Sequence, residues 1–358
     1  MRLADYSVPK INAEEDETDG ADGLCFCAAH IAIGEILPRC AGKVLLVSDG
    51  FALPAVAPFG GNVRTITVVA EEDALPFFSM PDGVGAVIAA GGERTLIAAR
   101  FFAEVRRIPC YLFPVNCDLR GAFERFGGVR VGESITRMPL AEAEVFCDRA
   151  LLGSSHAEGY GALLLARLAR IETRALNGIL NAKLGVFESQ EETLPVSFSA
   201  VVAENAKLRR AEAAGANSGE GAALCELYRE AGDRFPFWRA YRALTALYTA
   251  FFERGVPRRY FVPDYGARAV AAGVERWEIS VPSRAEYAQR ALAFERVRGE
   301  TSAELARERA LLPAFRRVLE NLAGERMPAG ELTQVRFLPE RRPEGLSAVI
   351  RDFGLLEF

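Results

Sequence analysis

Two adjacent glycines, Gly91 and Gly92, have the clearest chemical meaning in this sequence. They interrupt VGAVIAAGGERTLIAAR at 84–100, which predicts a strand, a turn and a helix. Such a turn exposes backbone N–H groups at the positive end of a helix dipole, where phosphate can bind. Glu93 would repel a phosphate by on the order of 1 kcal/mol if exposed, whereas Arg94 could attract it. Paired glycines also mark simple tight turns, so both interpretations stay open.

His156 and a group of arginines are the other candidates for polar chemistry. His156, in GSSHAEGYG, is interpreted as a cleft acid or base, or as a hydrogen-bonded loop histidine. The arginines could bind a phosphorylated or carboxylic ligand through bidentate contacts, or form a solvated helix face. They lie in DRFPFWRAYR and GVPRRYF and are Arg234, Arg239, Arg242, Arg258 and Arg259.

The first part of the chain carries short apolar runs separated by helix-length segments. Near-continuous apolar runs are typical of strands covered on both faces, and hence of a parallel sheet. We predict a Rossmann-like α/β domain over residues 1–152, with ligands beyond the carboxyl ends of its strands. A helix is expected over Leu24–Leu37, before Pro38. The predicted strands are Lys43–Ser48, Val63–Val69, Val84–Ala90, Cys110–Val115 and Glu144–Cys147, with a helix over Arg94–Arg107.

The remainder, residues 153–358, reads as an all-helical domain, with a ligand cleft expected between the two domains. A helix is expected to begin at Thr301-Ser302 and to end near Gly324, and a loop is expected over Ala214–Gly221. The predicted helices are Leu163–Leu180, Ala200–Ala213, Ala222–Ala231, Phe237–Glu253, Tyr265–Ala272, Arg284–Arg298 and Ser302–Leu322.

Composition narrows the functional class. At 358 residues, two domains are expected. A net charge of −5 and a pI near 5.5 argue against nucleic acid or an anionic membrane as partner. An acidic tract, Glu14 to Asp22, stands where a signal peptide would have its apolar core, so we expect a cytoplasmic protein. Seven cysteines without any C-x-x-C pair predict reduced thiols buried as small apolar residues, and Cys25 with Cys27 lacks the second pair of a zinc knuckle.

These motifs together resemble the iron-containing alcohol dehydrogenase and dehydroquinate synthase superfamily, with its glycerol and glycerol-1-phosphate dehydrogenase branches nearest. KVLLVSDG at 43–50 is similar to the family strand whose terminal acid, here Asp49, meets the adenosine ribose. AGGERTLIAAR at 90–100 is similar to the glycine-triplet turn that binds NAD(P). The family's strand and the loop that follows it resemble IPCYLFPVN at 108–116, where Asn116 stands at the position of a family threonine. The linker and first helix of the family's metal-binding domain resemble residues 145–152 and 158–172.

Departures from the family pattern bear on its chemistry. In the family, an Asp and two or three His hold a divalent metal that polarises the substrate oxygen. Here Gly159-Tyr160-Gly161 is followed by Ala162, and the two histidines, His30 and His156, precede it. We therefore expect no metal in the family position, although a carboxylate-only site for a harder ion is an alternative.

The nucleotide turn and the loop after the next strand also differ from the family. Glu93 replaces the third glycine, so weakened NAD(P) binding is implied. Where the glycerol-phosphate branch carries Ser-x-Asp-Gly, this chain has Asp118 and then Arg120-Gly121, which reverses a charge. The family's helix lysine corresponds to Arg100.

Three functions follow as hypotheses. The first is a divergent family member without metal-dependent redox activity that binds a small, anionic ligand in the cleft or a partner protein. The second is an active NAD(P)-dependent dehydrogenase or synthase-like lyase, in which arginines replace the metal as electrophile. The third is a structural partner in a homo-oligomer.

Overall fold

The computed structural model describes residues 24–49, 63–67, 82–132, 134–180, 194–214, 235–257, 260, 282–327, 346, 349–350 and 353, with 63–67 as backbone only. The helices predicted at Ala222–Ala231 and Tyr265–Ala272, most of the loop at Ala214–Gly221, and Arg234, Arg258 and Arg259 lie outside these residues.

The chain divides into two compact units. The sheet unit contains the described residues up to Tyr160 together with 195–214. The helical unit contains the described residues from Gly161 to Leu194 and from 235 onward. The division falls within one helix, and residues 195–214 belong to the sheet unit although they follow that helix. The predicted domain boundary at residue 152 stays a prediction.

A six-stranded, wholly parallel sheet forms the centre of the sheet unit. Its spatial order is β1-β8-β5-β4-β2-β3. Side chains alternate between two buried clusters, Leu45 and Val47 on one face and Val44 and Leu46 on the other. The predicted α/β class is therefore confirmed. The strands are β1 Leu24–Phe26, β2 Lys43–Ser48, β3 Val63–Thr67, β4 Val84–Gly91, β5 Cys110–Pro114 and β8 Glu144–Cys147.

Helices cover both faces of this sheet. Helix α1 (Ala29–Ile36), followed by a 3-10 turn at Leu37–Arg39, packs on one face. Helices α2 (Glu93–Arg106) and α5 (Phe198–Ala213) pack on the other. Between β8 and the next long helix lie α3 (Arg149–Leu152) and a 3-10 turn at Gly153–Ser155. Layers on both faces explain why the strands read as continuous apolar runs.

The helix predicted over Leu24–Leu37 is wrong in its first part. Leu24–Phe26 is instead strand β1, paired in parallel with Val145–Cys147 of β8. Asp148 then accepts the Ala29 N–H at 2.7 Å, which ends the strand and starts α1. The helical spacing of apolar residues could not reveal this pairing because its partner lies about 120 residues further along the chain.

An antiparallel hairpin, β6 (Phe126–Val131) and β7 (Ser134–Pro139), was not predicted. Its second strand is almost wholly exposed, so it carries little of the apolar alternation that marks a strand. A Cβ at Gly127 would lie 2.8 Å from Ile97 Cγ2, so this glycine lets β6 approach helix α2 closely.

Three long helices make up the described part of the helical unit and confirm its helical character. They are α4 (His156–Leu180, from Gly161 onward), α6 (Pro236–Arg254) and α7 (Arg284–Ala323). The helices predicted at Arg284–Arg298 and Ser302–Leu322 form one continuous helix, α7. The capping box that starts it is formed by Ser283 and Glu286, and Thr301 lies buried within it. Gly324, at φ 68°, ends α7 as predicted. No described helix is both long and apolar enough to span a membrane.

A buried polar group stands among the aromatic residues of the helical unit. The Arg167 guanidinium donates to both carboxylate oxygens of Glu308, at 2.5 and 3.3 Å. The Tyr241 hydroxyl donates to the same carboxylate at 2.6 Å. Because every partner is buried, this charge pair is satisfied inside the unit.

In the sheet unit, Arg100 joins helix α2 to the segments that follow β5. It is 3% exposed and donates to the carbonyls of Gly121, Glu124 and Ala141 at 2.7–2.8 Å. Burial lowers the pKa of Arg100, and the charge of Glu124 opposes that shift. The family lysine position is therefore occupied by a residue that supports the loop backbone.

Replacing Arg100 should destabilise the sheet unit. Arg100→Met leaves three carbonyls without their donor, which should lower the free energy of unfolding by about 3 kcal/mol. The matched control is Arg106→Met on the same helix, whose ion pair with Asp82 is exposed and should be worth less than about 1 kcal/mol. Urea denaturation of both variants provides the measurement; equal losses would contradict the role of Arg100.

Candidate functional site

The carboxyl ends of the neighbouring strands β2, β4 and β5 bring the predicted nucleotide residues together. Asp49 follows β2, Gly91 ends β4, and Asn116 follows β5 by two residues. Asp49 Oδ2 accepts the backbone N–H of Gly92 at 2.9 Å. A Cβ at Gly92 would lie 3.7 Å from Asn116 Nδ2. The site is thus assembled from three adjacent strand ends, where parallel sheets bind ligands.

Gly91 is required by close packing. A Cβ there would lie 2.7 Å from Asp49 Oδ2 and 2.8 Å from Thr95 Oγ1, closer than real Cβ atoms approach other atoms. Its carbonyl accepts the Val115 N–H at 3.2 Å, which holds the turn against the end of β5. The glycine therefore accommodates the Asp49 carboxylate, which sequence spacing alone could not indicate.

The chain's own carboxylates occupy the anion-binding end of helix α2. The helix begins at Glu93, and its N-cap residue is Gly92, which has no side chain to cap the helix. The Asp49 carboxylate takes the Gly92 N–H, and half-buried Glu93 adds a second negative charge in the first turn. Negative charge is stabilised at this end of the helix dipole. Arg94 lies exposed beside them.

A dinucleotide does not fit this turn as it stands. A pyrophosphate needs the bare N–H groups of the turn. The Gly92 N–H already donates to Asp49, so a phosphate reaching it would meet the Asp49 carboxylate at short range. With this hydrogen bond in place, the Gly92 N–H is not available to a phosphate.

The loop after β5 pairs two predicted ligand residues with each other. Asp118 and Arg120 are 3% and 9% exposed, and Arg120 Nε lies 3.6 Å from Asp118 Oδ2. The Arg209 guanidinium of α5 donates to the Asp118 carbonyl at 2.9 Å. Gly121, at φ 81°, has no room for a side chain because a Cβ would lie 2.7 Å from the Glu93 carbonyl oxygen. These contacts hold the loop against the start of α2.

His156 lies at the start of helix α4 in an apolar setting. Its ring meets Phe198 edge to face, with centroids 5.6 Å apart. Burial lowers the pKa of His156; a hydrogen bond with the Val196 backbone opposes this shift, and the charge of Arg149 adds to it. Its Nε2 is buried and finds no hydrogen-bond partner within the described residues. The imidazole is thus kept neutral by its surroundings.

The free energy of unfolding should fall on mild acidification because of His156. Its pKa is lowered in the folded protein, so the unfolded chain binds a proton more readily once the pH drops below about 6.5. Stability from the neutral ring is complete above that pH and is lost as the pH falls below it. His156→Gln should flatten this dependence between about pH 7 and pH 5.5 in urea titrations. An unchanged slope would contradict the pKa direction.

The prediction of reduced, buried thiols is met by only part of the described cysteines. Cys110, Cys117 and Cys147 are buried, whereas Cys25 is exposed. All six are free. Burial raises the pKa of Cys110 and Cys117 to about 12 and that of Cys147 further, although Ser155 partly offsets the shift at Cys117. Buried thiols in this state are protonated and behave as small apolar groups.

The position of the family's metal ligand is packed with apolar groups. Ala162 is 3% exposed and carries no ligand atom. A Cβ on the preceding Gly161 would lie 2.9 Å from Phe237 Cβ, so helix α6 closes tightly on this part of α4. Within the described part of the chain, no group of three or more His, Cys, Asp or Glu residues could hold a metal ion. The residues present do not fit the metal that the resemblance implies.

Two of the predicted arginines lie on helix α6 beside this position. Arg239 and Arg242 are half-buried, and the Arg242 guanidinium lies 5.8 Å from the Trp238 ring centroid. Trp238, 2% exposed, stacks on Tyr241 at 6.0 Å. Anion binding by these arginines stays a prediction.

Several residues that shape the two sites were missed at the sequence level. Thr95 and Arg209 contact the glycine turn and the Asp118 loop, and Glu308 binds Arg167 and Tyr241. Each contact joins a residue to a partner in another element. A charged residue at an apolar helix position, such as Glu308 in α7, was the one available signal.

Close packing at Gly161 can be tested with a helix-matched pair of substitutions. Gly161→Ala gains helix propensity but forces Phe237 to move, and overpacking costs about 1–3 kcal/mol. Gly299→Ala, within α7, gains the same propensity and meets nothing within 4 Å. We expect the first to lower and the second to raise the thermal midpoint. A stable Gly161→Ala protein would show that the contact with Phe237 is loose.

Comparison with known proteins returned only solved structures. No protein-family model matches this sequence, and no curated protein matches it. The solved structures that match include an iron-containing alcohol dehydrogenase and glycerol dehydrogenases, the kinds of protein that the sequence motifs resemble.

Three of these structures illustrate the similarity. An iron-containing alcohol dehydrogenase from Corynebacterium glutamicum is 16% identical with a TM-score of 0.44, over 87% of this chain and 90% of that chain. A probable glycerol dehydrogenase from Sinorhizobium meliloti is 14% identical with a TM-score of 0.46, over 79% and 97%. A 2-deoxy-scyllo-inosose synthase, complexed with carbaglucose-6-phosphate, NAD+ and Co2+, is 11% identical with a TM-score of 0.44, over 83% and 84%. Identities and TM-scores this low transfer no activity to this chain.

Proposed function

We propose that this protein is a pseudoenzyme of the dehydrogenase type, which binds a small ligand or a partner protein and performs no metal-dependent redox reaction. The observation that carries the proposal is the apolar packing at the metal position. Gly161 is closed by Phe237, and Ala162 is buried without a ligand atom. A metal in this class of site polarises the substrate oxygen, which contributes several kcal/mol to catalysis.

The glycine turn supports the same proposal independently. The Asp49 carboxylate takes the Gly92 N–H, and Glu93 adds charge beside it. A phosphate would have to displace a hydrogen bond already made and approach two carboxylates. Altered groups at the nucleotide turn and at the metal position thus both argue against the active dehydrogenase.

The remaining electrophiles do not replace a metal. Arg239 and Arg242 are the predicted arginines within the described residues, and Arg242 stacks on Trp238. A guanidinium restores only part of the stabilisation that a divalent ion gives to an oxyanion. The two arginines instead support an anionic ligand, bound by charge-assisted hydrogen bonds.

Thermal unfolding with NAD+, NADP+, Zn²⁺ or Fe²⁺ tests the proposal. A ligand present at 100 times its dissociation constant stabilises by about 2.7 kcal/mol. Because nucleotide binding is weakened, we expect either nucleotide to shift the unfolding midpoint by much less than this, and we expect no turnover of glycerol or glycerol phosphate. A nucleotide-dependent shift together with turnover would establish the active dehydrogenase instead.

Substitutions at the turn test the electrostatic argument. Glu93→Gly and Glu93→Gln should both strengthen NAD+ binding about fivefold, because removing one half-exposed carboxylate is worth on the order of 1 kcal/mol. Glu93→Gln is the control that removes the charge but retains a helix-forming side chain. Calorimetric titration provides the affinities, and unchanged binding in both variants would show that Glu93 does not repel the nucleotide.

Substitution of Asp49 distinguishes between two possible roles of its carboxylate at the glycine turn. If its carboxylate blocks the turn, Asp49→Ala frees the Gly92 N–H and strengthens NAD+ binding. If it contacts the ribose, as the family resemblance implies, the same change weakens binding. The proposal predicts strengthening, and weakening in the titration would contradict it.

A further inference from the structure

Cys25 and Cys27 form a thiol pair at the edge of the sheet. Their Sγ atoms lie 3.7 Å apart. Cys25 lies in β1, which is an edge strand of the sheet, and Cys27 directly follows the last residue of that strand. Cys25 is exposed and Cys27 is half-buried, so the pair is open to solvent on one side.

The spacing of the two sulfurs matches that of a chelate. Two thiolates bound at about 2.3 Å to one tetrahedral zinc ion lie about 3.8 Å apart. A linear centre with the same bond length would hold them about 4.6 Å apart. A disulfide would require them to approach to about 2.05 Å. The observed separation therefore suits two ligands of a tetrahedral ion without movement of the backbone.

The surroundings of the pair carry negative charge. Burial and the neighbouring Cys25 thiol raise the pKa of Cys27 to about 12, and the carboxylates of Glu35 and Asp148 add to this shift. Asp148 is held in place, since its two oxygens accept the N–H groups of Ala29 and Ala150, both at 2.7 Å. These carboxylates favour a cation at the thiols over an anion.

We propose that Cys25 and Cys27 chelate a soft divalent cation of the zinc and cadmium type. Each thiol releases its proton to solvent and donates one sulfur ligand to the ion. In the part of the chain that the structure describes, no third His, Cys, Asp or Glu completes a set of three, so solvent or a small exogenous ligand fills the other positions.

This site is separate from the glycine turn. Both lie at the carboxyl edge of the sheet, but β1 and β4 are separated by β8 and β5, a distance of about 14 Å at the usual strand spacing. The proposal does not depend on the pseudoenzyme assignment, and either can fail alone.

Cadmium titration of the full-length protein, reduced with a phosphine, tests the proposal. Bound Cd²⁺ should produce an ultraviolet thiolate-to-cadmium charge-transfer band that saturates at one ion per chain. Cys25→Ser and Cys27→Ser should each abolish the band. Cys40→Ser, a half-buried cysteine nearby in sequence, is the matched control and should retain it.

Thiol protection gives a second readout on the unmodified sequence. Zn²⁺ should slow alkylation of the tryptic peptide that contains Cys25 and Cys27, and mass spectrometry should show no protection of Cys40. No band in the reduced wild-type protein, a band that survives in both serine variants, or protection absent from that peptide would each overturn the proposal.

Discussion

The hydrogen bond from the Gly92 N–H to the Asp49 carboxylate connects the end of β2 with the start of helix α2. It makes a side chain at residue 91 impossible, because a Cβ would collide with the same carboxylate. It also stabilises the positive end of the helix dipole without a ligand. The turn that resembles a phosphate site is therefore stabilised by a carboxylate of the protein itself.

The loop after β5 extends this self-contained arrangement. Gly121 approaches the Glu93 carbonyl so closely that no side chain is possible between them. From the middle of α2, Arg100 donates to the carbonyls of Gly121 and Glu124. Within the loop, Asp118 and Arg120 form a buried ion pair with each other. Charged side chains that could have contacted a ligand thus bind other groups of the protein. These contacts fix the conformation of the loop at the carboxyl edge of the sheet.

The parts of the fold that the sequence predicted are those determined by burial. Strands β2, β4, β5 and β8 lie within a residue of their predicted bounds, because runs such as Val44–Val47 are buried on both sheet faces. Strand β1 was missed because three residues carry no period and their pairing partner is remote. The helix start predicted at Thr301-Ser302 is wrong, because Thr301 is buried within the continuous helix α7 and tertiary packing overrides the local signal.

The candidate sites were only partly predictable for a related reason. Resemblance identified Asp49, Gly91 and Asn116, and the strand ends do bring them together. The hydrogen bond that changes the meaning of Asp49 joins residues 43 apart, and no local pattern encodes it. The packing of Phe237 on Gly161 is equally remote in sequence. Residue types and their spacing in the sequence indicate which chemical groups are present. Whether another part of the protein already binds those groups can be seen only in the folded chain.

The buried carboxylates of the helical unit bear on the remaining alternative of a carboxylate-only metal site. Glu308 is bound by Arg167 and Tyr241, Glu304 by Arg307, and Glu172 accepts the Leu346 N–H. At Glu308 a cation would have to compete with a bidentate guanidinium and a hydroxyl, and breaking a buried pair costs about 3–5 kcal/mol. A hard ion held by few ligands does not recover that cost easily, since Mg²⁺ also retains much of its hydration shell. In the described helical unit these carboxylates therefore serve as partners of other groups of the same chain, and Ala162, next to the glycine that Phe237 covers, offers no ligand atom.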